Sequence, residues 1–83
     1  SLLITKAEMK SNSASYTASI TYKIDGSPVG VDETSTATVY ELKEQEIDIS
    51  SLGNGKHTLD IVLVSSNALG VASNQLVELH LGS

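Results

Sequence analysis

Few residues in this chain could do acid–base or ligand chemistry, and they are scattered. They are His57 and His80, with carboxylates gathered loosely as Asp25, Asp32 and Glu33 and as Glu41, Glu44 and Glu46. Nucleophilic catalysis needs a Ser or Thr beside a base that a third group orients. The two histidines fall on different predicted strands, His57 at the inward-facing start of one and His80 on the outward face of another. No relay is expected from them: His57 reads as a corner residue and His80 as a solvated one. The chain contains no G-x-S-x-G, no H-E-x-x-H and no phosphate-cradling glycine loop. Glycoside hydrolysis asks for two carboxyls roughly 5–9.5 Å apart across a cleft. A chain of 83 residues has little depth for one, so the glutamates read as surface charge. Asp25, Asp32 and Glu33 flank one long loop, the sort of oxygen cluster a hard cation takes, but the spacing of a dedicated calcium loop is missing. No catalytic residue, metal ligand set or cofactor is expected, and the chain does not read as an enzyme.

Composition narrows the partners. The net charge is −5, and all five basic residues are isolated lysines (Lys6, Lys10, Lys23, Lys43, Lys56). That field repels a polyanion, and without arginine there is no bidentate reader of phosphate or guanine, so no nucleic-acid partner is expected. No apolar run approaches the ~20 residues of a membrane-spanning helix, and no membrane partner is expected. With no cysteine in the sequence, disulfides and thiolate chemistry are excluded. The first residue is Ser rather than Met, which points to a single module, residues 1–83, excised from a longer multidomain protein.

The elements that would hold any site are strands. Turn residues recur every 8 to 12 positions or so between runs rich in Val, Ile, Thr and Tyr, the pattern of a sandwich or barrel. Residues 2–9 read as a first strand. Tyr16, Ala18, Ile20, Tyr22 and Ile24 then alternate with Thr17, Ser19, Thr21 and Lys23, as a strand with one buried face does. Asp25-Gly26-Ser27-Pro28 stops it. Residues 30–34 read as loop, with a possible seventh strand between Pro28 and Thr34, and residues 36–42 as strand. Lys43-Glu44-Gln45-Glu46 reads as a charged connection at a sheet edge, with a short helix as the alternative. Residues 47–49 form a short strand ending at Leu52. The turn Gly53-Asn54-Gly55 then leads into His57, Leu59, Ile61 and Leu63 on one face. Residues 71–81 return as the last strand, paired with the one before it, with Val77, Leu79 and Leu81 inward and Glu78 and His80 outward.

Two passages carry a family resemblance. Ile47-Asp48-Ile49-Ser50-Ser51-Leu52, followed by Gly55-Lys56-His57-Thr58-Leu59 and then Ile61 and Leu63, resembles the passage from strand E to strand F of fibronectin type III and bacterial immunoglobulin-like domains. Ser66-Asn67-Ala68-Leu69-Gly70-Val71-Ala72-Ser73 is similar to their F–G turn. The resemblance covers about the last 40 residues. It departs at His57, where the family often has a corner tyrosine, and in the lack of Trp and Phe. It fits a bacterial or phage module better than an animal repeat.

The resemblance implies an all-β, immunoglobulin-like or fibronectin type III-like sandwich of six or seven antiparallel strands. It implies a non-catalytic spacer or adhesion and interaction module of a larger extracellular, cell-surface or phage virion protein, its termini at opposite ends and its neighbours the adjoining domains. The alternative is an accessory module that binds a glycan or protein through its end loops. Ser66, Asn67 and Leu69, in the turn before the last strand, are the candidate binding residues. Tyr40 is the one tyrosine expected to be free for stacking on a sugar.

Overall fold

The computed structural model describes residues 2–82. They form six strands and no helix, arranged as two antiparallel three-stranded sheets: β1 (Leu2–Ser11), β2 (Ala18–Ile24), β3 (Ser27–Ser35), β4 (Glu41–Asp48), β5 (Leu59–Ser65) and β6 (Ala72–Gly82). One sheet runs β4-β1-β6 and the other β3-β2-β5. The all-β expectation holds, and the two layers form a sandwich elongated to 42 × 21 × 16 Å.

The central strands build the core because their alternation is the most regular. Leu3, Ala7 and Met9 of β1 face Ala18, Ile20, Tyr22 and Ile24 of β2, all buried, with Ile47 of β4 beside them. The β2–β3 hairpin closes through Asp25 (φ +53°) and Gly26 (φ +85°), with Ile24 opposite Ser27. Two central residues at positive φ are what a two-residue hairpin loop of the Asp-Gly type requires.

Five sequence expectations change. The segment read as loop, residues 30–34, is part of β3, as the alternative of a strand between Pro28 and Thr34 had it, while residues 36–40, read as strand, form a loop. The charged run Lys43-Glu44-Gln45-Glu46 is neither a connection nor a helix but the middle of β4. Its even and odd positions divide between the faces, Lys43, Gln45 and Ile47 sitting opposite Ala7, Thr5 and Leu3, with Glu44 opposite Lys6 on the outer face. Cross-strand pairing thus overrides helix propensity, which is a weak prior.

The last two strands do not pair with each other. β5 runs antiparallel to β2 and β6 runs antiparallel to β1, so residues 66–71 cross from one sheet to the other. The reason is burial: β1 and β2 have the most regular buried faces, and each gains a neighbour on both edges. Finally, the first and last described residues are not at opposite ends of the sandwich. Leu2 is the cross-strand partner of Gly82, so the described chain starts and finishes side by side.

The two seams of the sandwich differ. Between β3 and β4, the Gln45 carboxamide accepts from the Val31 N–H (3.1 Å) and donates to the Val31 carbonyl (3.0 Å), as a strand backbone would. Gly30, at φ +66°, lets the chain pass under this contact. A Cβ there would collide with Gln45 Oε1 and lie 2.8 Å from Ile47 Cγ1. Between β5 and β6 no such clasp occurs among the described residues, and Ile61, Val77, Leu79 and Leu81 are inward in register yet 36–80% exposed.

Candidate functional site

The strand register sorts the loops into two ends. Loops 12–17, 36–40 and 66–71 follow Ser11, Ser35 and Ser65 and gather at one end, away from Leu2 and Gly82. The Asp25-Gly26 turn and residues 49–58 lie at the other end, with Leu2 and Gly82.

At the loop-bearing end, Ser66, Asn67 and Leu69 sit together on one turn. Asn67 shapes that turn: its side-chain oxygen accepts from the Leu69 N–H (2.8 Å) and its carbonyl from the Gly70 N–H (2.9 Å). Ser66 binds the turn to the neighbouring loop, its N–H donating to the Thr17 carbonyl (2.8 Å) and its Oγ accepting from the Thr17 N–H (2.9 Å). Asn12 braces the far side, accepting from the Val71 N–H (3.0 Å). These contacts hold Leu69 out as a fixed apolar tip, 77% exposed.

Thr17 also lines an open polar groove of about 440 Å³ with Thr34, Ser35, Thr36, Ala37 and Glu41. Lys43 Nζ, 2.9 Å from Glu41 Oε1, and secondarily the Ser35 hydroxyl, hold the Glu41 carboxyl below its usual range. The sequence reading missed this groove because it placed residues 36–42 in a strand. The small polar run Thr34-Ser35-Thr36-Ala37-Thr38, which has little apolar bulk to bury, was the available signal. Tyr40 is not a free stacking face: the Lys10 ammonium sits 4.7 Å from its ring centroid.

At the opposite end, His57 is not an inward strand residue. It precedes β5 at the surface and ties two loops together. Nδ1 lies 2.6 Å from Asp25 Oδ2 and Nε2 lies 2.7 Å from the Gly53 carbonyl. Asp25 continues the tie, its Oδ1 accepting from the Thr58 N–H and its own N–H donating to the Thr58 carbonyl, both at 2.8 Å. Both partners of the ring are acceptors, so it satisfies them together only as the imidazolium. The bond to Asp25, and then that to Gly53, raise the His57 pKa; in turn His57, and then the Thr58 N–H, lower that of Asp25. In this arrangement neither ring nitrogen is left to take a proton from a nucleophile. His80 lies exposed on the outer face, 3.6 Å from Glu78.

The three carboxylates that sequence put around one loop face three ways. Asp25 holds His57, Asp32 accepts from the Thr21 hydroxyl on the outer face (2.9 Å), and Glu33 is buried. Glu33 accepts from the Tyr22 hydroxyl (3.3 Å) and from Gln45 Nε2 (3.0 Å). Burial, with the Glu33 charge adding to it, pushes the Tyr22 hydroxyl above its usual 10.0, against a nearby Thr5 hydroxyl that lowers it. Among the described residues, no three carboxylate or imidazole side chains come close enough to share a metal ion.

An apolar pocket of about 430 Å³ opens beside the His57 corner, lined mainly by Leu3, Ile24, Ile49, Leu52, Leu59 and Leu79. It belongs to the open seam between β5 and β6. Compared with family models, curated proteins and solved structures, the chain matches none.

Proposed function

We propose that this chain is a non-catalytic interaction module that presents its three-loop end to a protein or glycan partner. Its chain ends would join the rest of a larger cell-surface or virion protein at the other end. One observation carries the reading: Leu2 and Gly82 are cross-strand neighbours, while Ser66, Asn67 and Leu69 stand at the opposite end of a body 42 Å long. An in-line spacer needs its ends apart; a module held at one end displays the other. The internally bonded turn supports the same reading, since loops that bind are best held rigid before the partner arrives. The engagement of both His57 nitrogens supports a structural role for the one corner that resembles a catalytic pair.

The finer architecture belongs to the same proposal. β1 beside β4 and β2 beside β5 match the B–E and C–F neighbours of the immunoglobulin sandwich. The last strand departs from that fold, lying beside β1 where strand A would lie rather than beside β5. We read the chain as an immunoglobulin-like variant with the first strand's place taken by the last.

The test is an amide NMR titration of the chain with cell-wall and plant polysaccharides, calcium and candidate surface proteins. Saturable shifts on residues 12–17, 36–40 and 66–71 are expected, reduced by Leu69→Asp. Shifts confined to residues 25–27 and 53–58 would overturn the proposed orientation.

A further inference from the structure

We propose that two copies of this chain associate through the free edge of β6, pairing antiparallel about a two-fold axis at Leu79. The sheet β4-β1-β6 would thereby double into one of six strands.

The first argument is the difference between the seams. One is closed by Gln45 acting as a surrogate strand, and the other leaves inward-facing side chains in water. Leu79 is 42% exposed and Leu81 80%, although their register partners Thr5 and Leu3 on β1 are buried. An edge strand with apolar residues and unpaired backbone groups is a template for another strand.

The second argument is length. β6 carries a bulge where the register jumps from Glu8 opposite Leu76 to Met9 opposite Asn74, leaving Gln75 as the extra residue. A bulge bends an edge and ends regular pairing. The straight run left for a partner is therefore residues 76–82, whose midpoint is Leu79.

The third argument selects the occupant. Antiparallel pairing about Leu79 sets Glu78 opposite the second copy's His80, and His80 opposite its Glu78. It sets Val77 against Leu81 on the inner face, twice, with the two Leu79 side chains meeting on the axis. Polar and apolar groups thus match their own images. The free edge of β5 does not: pairing residues 59–65 about Val62 sets Asp60 against Val64. Because opposite residues share a face, the two β3-β2-β5 sheets would fall on the same side of the doubled sheet and cover Ile61 and Leu79 together.

Seven paired residues make a small interface, so the association is expected to be reversible in the range of about 10 μM to 1 mM. Sedimentation velocity on the 83-residue chain across that range should show its mass rising from 8.7 kDa toward twice that value. Leu79→Lys, checked for folding by circular dichroism, should stay monomeric. Glu78→Lys should weaken the dimer by about three- to tenfold by removing the carboxylate–imidazole contact at both symmetric pairs, and the exchange Glu78→His with His80→Glu should restore it. The sequence has no cysteine, so Leu79→Cys should give a covalent dimer on mild oxidation where Leu69→Cys, more exposed, does not. A chain monomeric at 1 mM would overturn the proposal. So would a dimer indifferent to Glu78→Lys, or cross-linking at Leu69 as fast as at Leu79. If Leu79→Lys does not fold, the charge exchange and the cysteine pair decide.

Discussion

His57 and Gln45 show how single side chains set the geometry of this sandwich. The raised pKa of His57 makes its clasp a source of stability that is fully present below the imidazole's ordinary 6.5 and is lost as pH rises through the folded value. Asp25 works in the opposite sense: its lowered pKa contributes stability above the ordinary 3.8, lost as pH falls through the folded value. The clasp should therefore be strongest between about pH 4 and 6.5. Melting curves of the chain and of His57→Ala should differ most near pH 5 to 6 and converge in alkaline solution; a gap constant with pH would mean the ring is held neutral. Gln45 is the more expensive loss, because its removal strips the Val31 backbone of its partner and leaves one oxygen of the buried Glu33 bare. Gln45→Ala should cost about 1–3 kcal/mol in urea unfolding. Neither clasp was legible in the sequence, since the His57–Asp25 bond and the Gln45 contacts join residues 12 or more positions apart through side chains whose types are ordinary at a surface.

At the scale of the element, alternation was readable and partnership was not. Residues 18–24 announce a half-buried strand, and Asp25-Gly26 announces the turn that ends it, because both signals are local. The inward set Val77, Leu79 and Leu81 was also readable by period two. Which strand lies beside which is decided by burial summed over the whole sheet, so β6 could not be assigned to β1 from its own residues. β4 was lost for a related reason: its charges satisfy an edge strand as well as they satisfy a loop. The center of the core accordingly lies on β1 and β2 rather than on β5. Ile20→Ala, at a site with no exposure, should cost about 2–5 kcal/mol. Ile61→Ala, at a site 38% exposed, should cost clearly less in the same denaturant titration. Equal losses would mean that the β5–β6 seam is closed in solution. The candidate binding turn sits between these cases. Its position at a strand end was legible from Asn67 and Gly70, but the groove beside it arises from segments nearly 20 residues apart in sequence.

At the scale of the molecule, the six strands of the described residues are divided three and three, with a polar end, an apolar seam, and Leu2 and Gly82 side by side. The adjacency of Leu2 and Gly82 has a consequence for the order of the chain itself. Facing residues of an antiparallel pair have Cα atoms about 5 Å apart, so a short bridge would turn the backbone into a closed ring. The place where that ring is cut is then a matter of convenience rather than of folding, provided the cut falls in a solvent-facing turn. A circular permutant joining Gly82 to Leu2 through about four to six Gly and Ser residues, and opened between Asn67 and Ala68, should keep the native circular dichroism spectrum and amide dispersion. Loss of both would mean that strand order along the chain, and not only strand neighbours in space, is needed to build this sandwich.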